Sequence, residues 1–224
     1  MNYPNQNLLY RNFAFCLLFF VPLVLLPKGT LVQEINLFEY PSLFPFFKWI
    51  TLLGDGWILL LVFISLLAYY FQSKTSMFRD NLMNFLFSSL FMILVVTLMK
   101  NVFFYAFPRP IKYFEIELSQ SLLAIYDMNF HQIRSFPSGH TATISVVGFY
   151  LMRFFKSEII RRALFLVILV GGFSRIFLFQ HFVTDVLAGL GLGLIAVLFG
   201  NYITYWLYYR KSKLNTPTTI NASE

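Results

Sequence analysis

From residue 81 to residue 99 the chain runs without a single charged side chain, between Arg79-Asp80 on one side and Lys100 on the other. About 20 mostly apolar residues in a helix cross the hydrocarbon core of a bilayer, so this stretch has the length of a span. Residues 8–26, 57–71, 140–155, 163–179 and 182–209 have the same character, the second extending backward through 50–56. Composition agrees. Of 224 residues 58% are hydrophobic and only 12% charged, where a soluble domain carries about a quarter charged. The 29 Phe exceed what a water-surrounded core would hold, so the excess apolar surface needs lipid as its solvent.

The expected fold is therefore all-α: a polytopic membrane protein with six transmembrane helices in one bundle. Residues 1–213 read as one domain without internal repeats, and 214–224 as a disordered polar tail. Residues 31–49, rich in Phe and Pro and carrying Glu34 and Glu39, read as interfacial rather than spanning. Six passes put both termini on one side. Ten of the 17 cations fall there: Arg11, Lys74, Arg79, Arg153, Lys156, Arg161, Arg162, Arg210, Lys211 and Lys213. By the positive-inside rule both termini are cytoplasmic. Pro27-Lys28-Gly29 lacks the small-residue pattern of a signal-peptide cleavage site, so the first segment reads as a retained helix. The net charge of +7 lies in short clusters between segments rather than in one stripe, which fits topology and not nucleic-acid binding. A lone Cys16 excludes a disulfide framework and a cysteine zinc site.

The polar residues on the opposite side gather at three places. They are Lys100 with Arg109-Pro110; Ser135 to His140; and Ser174-Arg175 followed by His181 and Asp185. All fall at the non-cytoplasmic ends of expected helices, and ionisable groups near a membrane tend to be functional. Lys100, Arg109 and Arg175 supply three positive charges, suited to a phosphate dianion. The Arg forks suit bidentate contact, and Lys100 acts as a point charge. Ser138 and Gly139 precede an apolar helix whose first N–H groups and dipole favour an anion. His181 and Asp185 are four positions apart, which puts both on one helix face, where the carboxylate holds the imidazole tautomer. His140, from another helix, is placed to protonate a leaving alkoxide. No further cluster of Asp, Glu or His is left to hold a divalent ion, so no metal or other cofactor is expected.

These residues resemble the type 2 phosphatidic acid phosphatase (PAP2) superfamily, whose pattern is a Lys then Arg-Pro, a Pro-Ser-Gly-His, and a Ser-Arg-x5-His-x3-Asp. The chain reads Lys100…Arg109-Pro110, Pro137-Ser138-Gly139-His140 and Ser174-Arg175-x5-His181-x3-Asp185. The resemblance spans roughly residues 50–205. It implies a metal-independent phosphatase with His181 as nucleophile, forming a phosphohistidine, and His140 as acid. Lys100, Arg109, Ser138, Gly139 and Arg175 become phosphate ligands. The expected substrate is a lipid phosphate in the outer leaflet of a bacterial inner membrane, with the site at the periplasmic face. Lipid A phosphate, undecaprenyl diphosphate, phosphatidylglycerol phosphate and phosphatidic acid all qualify. A phosphotransferase passing the group to a second lipid uses the same residues. A transporter or channel would instead place charge near mid-membrane and break its helices there.

One spacing departs from the family. Eight residues separate Lys100 from Arg109, where six are usual. Positions seven apart on a helix lie about 20° from alignment, whereas positions nine apart face opposite ways. Pro108 and Pro110 reconcile this if the helix breaks near Ala106 and Arg109 turns back. Of the remaining polar residues, Gly54-Asp55-Gly56 reads as a tight turn before the second span. His131 reads as solvated and Arg134 as a loop residue outside the site, with a head-group contact as its lesser alternative. Gly171-Gly172, Gly189, Gly191 and Gly193 read as helix-packing positions. In a background free of Cys16, a cysteine placed in residues 115–130 is expected to label from outside intact cells, and one in 156–160 only after permeabilisation. The reverse pattern would put the site in the cytoplasm.

Overall fold

The computed structural model describes residues 25–116 and 128–214, together with Pro22 and Tyr126. Among these the chain is helical, with no strand. Its helices are α1 (Thr30–Glu34), α2 (Phe44–Thr51), α3 (Gly56–Ser73), α4 (Ser76–Leu98), α5 (Pro110–Tyr113), α6 (Gly139–Leu151), α7 (Glu158–Phe177) and α8 (Val183–Leu214). The first expected span, most of residues 8–26, and the tail beyond Leu214 lie outside the described residues.

Among the described residues three helices are long and apolar enough to cross a membrane: α3, α4 with the turn that prolongs it to Phe103, and α8 over Val183–Tyr208. Their outward faces carry large exposed apolar residues, among them Leu60, Leu61 and Ile64 of α3, Leu90 and Leu94 of α4, and Ile195 of α8. Along α3 Leu59 is the one fully buried residue, and Ile58, Val62, Phe63 and Leu66 form a half-buried stripe packed on the core, leaving most of the remaining helix surface exposed. The other two expected spans differ from that description. With 13 residues α6 is about 20 Å long, short of the roughly 30 Å hydrocarbon core. It is instead sheathed in protein, every residue from Thr141 to Tyr150 being buried. α7 has 20 residues but carries Glu158, Arg161 and Arg162 in its first turns and Arg175 in its last. The extension of the second span through 50–56 is not continuous helix either. α2 ends at Thr51, a 3₁₀ turn covers Leu52–Gly54, and α3 starts afresh after Asp55.

Around α6 pack α8, α7, α4, α3 and the Leu52–Gly54 turn. Such a sheath requires close approach, and small residues supply it. A Cβ on Gly189 of α8 would lie 2.6 Å from the Ser138 carbonyl oxygen, and one on Gly193 would lie 3.0 Å from that of Ala142. These two glycines are four apart and share a face, so α8 lies flat against the start of α6. Further along, Gly200 sits against the backbone of Asn84 and Ser88, where Asn84 Nδ2 donates to Asn201 Oδ1 at 2.6 Å. The stretch expected to be interfacial folds as short helices, with Phe47 of α2 packed at a tilt against Phe177 of α7, 4.2 Å between ring centroids. Gly189→Ala is expected to cost about 1–3 kcal/mol through overpacking, because the obstructing atom is backbone. Gly56→Ala, whose Cβ meets nothing within 4 Å, is expected to leave stability unchanged. Thermal unfolding in detergent compares the two, and equal midpoints would contradict the packing described.

Candidate active site

Chain direction alternates through the bundle, so the start of α3, the end of α4, the start of α6, the end of α7 and the start of α8 meet at one end. The expected site residues all lie there. α8 and α6 are joined at this end by a backbone bond, Ser138 N–H donating to Asp185 O at 2.9 Å. The end of α7 is tied in by Arg175, whose carbonyl accepts from the N–H groups of Gln180 (3.0 Å) and His181 (3.1 Å).

His181 does not sit on α8, which begins at Val183. The pairing with Asp185 arises differently from the shared helix face expected. Asp185 Oδ2 reaches back to the N–H of Phe182 at 2.9 Å, as a residue in a helix's first turn does when it caps the start, and this brings it beside the loop. The same oxygen accepts from Ser135 Oγ at 2.5 Å. His181 Nδ1 lies 3.4 Å from Oδ2, close enough for electrostatic attraction but not aligned as a hydrogen bond. His181 is fully buried, and burial, followed by the charges of Arg109, Lys100, Arg175 and His140, pushes its pKa well below the ordinary histidine range. It is a neutral imidazole beside a carboxylate.

Arg109 is held on three sides. Its Nε donates to Ile133 O at 3.0 Å, its Nη1 to Gln180 Oε1 at 2.8 Å, and its backbone N–H to Gln132 O at 2.8 Å. Burial lowers it to about 10, which leaves it charged at neutral pH. The two extra residues between Lys100 and Arg109 are absorbed earlier than expected. The helix does not run on to Ala106: Met99–Phe103 forms a π-helical turn, and Phe104 N–H bonds Met99 O at 2.7 Å. That wider turn rotates Lys100 relative to a straight α-helix, and its Nζ lies 4.0 Å from where a Cβ on Gly139 would stand. Lys100 and Arg109 then line one polar cavity of about 390 Å³, shared with His131 and Arg134. His131 is exposed, as a solvated residue would be, while lining this cavity, and partial burial followed by the charges of Arg109, Lys100 and Arg175 lowers its pKa.

Ser138 caps α6, its Oγ accepting from Thr141 N–H at 3.3 Å and Thr141 Oγ1 at 2.8 Å. Its N–H is engaged by Asp185, so the expected anion cradle falls to the N–H of Gly139 and to the Ser138 hydroxyl proton. Arg175 Nη1 donates to Thr51 Oγ1 at 2.6 Å. His140 Nε2 meets Asp55 Oδ1 at 2.6 Å. That contact, and those of Gln180, Ser135 and Thr51, were not visible in the sequence. Gln180 and Ser135 adjoin motif residues, but nothing in their spacing marks a role.

A second cavity, about 460 Å³ and almost wholly apolar, opens between α3 and α4 and ends at Gly139 and His140. Val96 and Thr97 line both cavities, so the polar and apolar spaces adjoin.

Residues 81–212 match the sequence profile of the PAP2 superfamily. Two solved structures share the fold. The crystal structure of LpxE from Aquifex aeolicus aligns with a TM-score of 0.59 at 26% identity, covering 78% of this chain and 94% of that one. A transmembrane PAP2 type phosphatidylglycerolphosphate phosphatase from Bacillus subtilis aligns with a TM-score of 0.55 at 20% identity, covering 94% and 98%. No curated protein sequence matches the chain.

Proposed function

The chain belongs to the PAP2 superfamily, and from that premise we propose that it hydrolyses the phosphate ester of a membrane lipid through a phosphohistidine on His181, without metal. The observation that carries this reading is the junction of the two cavities. An apolar cleft between α3 and α4 ends at His140, and a polar space holding Lys100 and Arg109 adjoins it at Val96–Thr97. A lipid phosphate is the molecule shaped for that pair, its chains in the cleft and its phosphate among the cations.

Lys100, Arg109 and Arg175, with the Gly139 N–H and the Ser138 hydroxyl, take the phosphate oxygens and stabilise the charge of the five-coordinate transition state. Neutral His181 attacks. A nitrogen–phosphorus bond forms as the bond to the lipid oxygen breaks, and a proton from His140 goes to that oxygen. Asp185 stabilises the charge that His181 acquires. Water then attacks phosphorus, gives its proton to His140, and releases phosphate and neutral His181. The site faces the periplasmic side of a bacterial inner membrane, and lipid A type phosphates, undecaprenyl diphosphate and phosphatidylglycerol phosphate are its candidate substrates. LpxE, at 26% identity, supports a small bacterial member of the family.

Purified protein is to be assayed for phosphate release from those lipids and phosphatidic acid, with and without a chelator. Turnover is expected on at least one lipid phosphate, unchanged by the chelator. Because His181 is held neutral to below the ordinary histidine range, activity is expected to persist on the acid side of that range before the limb falls. A strict requirement for a divalent ion, or inertness to every lipid phosphate, would overturn the reading.

A further inference from the structure

Asp55 occupies the N-cap position of α3, with extended backbone (φ −75°, ψ 153°), yet makes no side-chain capping bond. An aspartate at this position ordinarily caps the N–H groups of the first turn. Here its Oδ1 lies 2.6 Å from His140 Nε2 on another helix. Two neighbours support the contact. Gly54 lies so close to α6 that a Cβ there would sit 2.7 Å from the His140 carbonyl oxygen, so the turn is seated on that residue. Four residues before Asp55, Thr51 accepts from Arg175. The His140 hydrogen bond, first among several causes, holds the Asp55 carboxyl below its usual pKa. All of these residues but His140 and Arg175 precede the matched segment 81–212.

We propose that Asp55 is the positioning residue of the acid step, holding His140 by Nε2 so that Nδ1 carries the proton delivered to the leaving oxygen. The inference rests on the function proposed above and deepens it. Arg175 and Lys100 are the charged groups that face His140 besides Asp55, and both repel its protonated form. Asp55 is the carboxylate that opposes them, and it favours the charged imidazolium before the transfer. When the phosphorus–oxygen bond breaks, its electron pair stays on the lipid oxygen, which takes the Nδ1 proton. His140 is left neutral, still bonded to Asp55 through Nε2–H. When water attacks the phosphohistidine, Nδ1 accepts the proton back. Asp55 thus does for His140 what an orienting carboxylate does for a catalytic histidine elsewhere.

The test compares Asp55→Asn with wild type on two substrates, phosphatidic acid in detergent micelles and p-nitrophenyl phosphate. Asn is isosteric and a good N-cap, so the variant keeps its helix start. Thermal unfolding in detergent checks that it is folded. The leaving group of phosphatidic acid is diacylglycerol, a poor alkoxide that needs the proton, whereas nitrophenolate barely does. General acid catalysis contributes about 10²–10⁴-fold, and loss of its positioning group is expected to remove about 10–100-fold of kcat on phosphatidic acid, with KM little changed. On p-nitrophenyl phosphate the loss is expected to stay below about threefold, since that leaving group draws little on the acid. In a His140→Ala background, Asp55→Asn is expected to add no further loss, the mark of two residues acting as a unit. Equal losses on both substrates, or full additivity with His140→Ala, would make Asp55 merely structural. If His140→Ala discriminates between the substrates and Asp55→Asn does not, this inference fails while the phosphatase reading stands. Inertness of the wild type to both would sink the phosphatase reading first.

Discussion

The site depends on the contact between α6 and the start of α8. Gly189 and Gly193 let the two backbones approach, and the bond from Ser138 N–H to Asp185 O locks their ends in register. Because Ser138 caps α6 and Asp185 closes the first turn of α8, that one junction fixes where His140 and His181 stand relative to each other. No hydrophobic force drives helices together in lipid, so small residues and interhelical hydrogen bonds have to do it. The chain concentrates both at this place, and α6 is buried almost throughout as a result.

Around the junction, the charged groups are tethered rather than free to swing. Arg109 is tied to Ile133 and Gln180, Arg175 to Thr51, and Asp185 to Ser135 and Phe182. Preorganised cations of this kind need not reorganise as charge develops in a transition state. The arrangement also separates the two histidines by environment. His181 is enclosed, neutral and beside a carboxylate it does not squarely bond. His140 stands where the apolar cleft ends and bonds Asp55 directly. In the proposed reaction a buried neutral nitrogen attacks phosphorus, and an acid at the edge of the lipid cleft meets the leaving oxygen.

The long apolar stretches made α3, α4 and α8 legible in the sequence, since length and hydropathy decide a span almost alone. α6 was legible as a helix but not as a short, protein-sheathed one. The burial of a short apolar segment depends on its neighbours, and its own composition does not report them. The motif residues were legible because order and sidedness placed them at one end. How they are held was not. The π-helical turn at Met99–Phe103 has no signature in local composition, although the two extra residues before Arg109 signalled that some irregularity was needed. Asp55 was read as part of a Gly-Asp-Gly turn, which it is. Its bond to His140 is a contact across the bundle between residues 85 positions apart in the chain, and no spacing rule reaches that far.

The central claim is that His181 forms a covalent bond to phosphorus. The direct measurement uses the His140→Ala variant with radiolabelled p-nitrophenyl phosphate, whose leaving group departs without an acid while the water step lacks its base. Quenching in alkaline detergent, which preserves phosphoramidate bonds, followed by peptide mapping, is expected to find close to stoichiometric label on the peptide containing His181. Release of nitrophenolate with no label on the protein, or label on any other residue, would contradict the account.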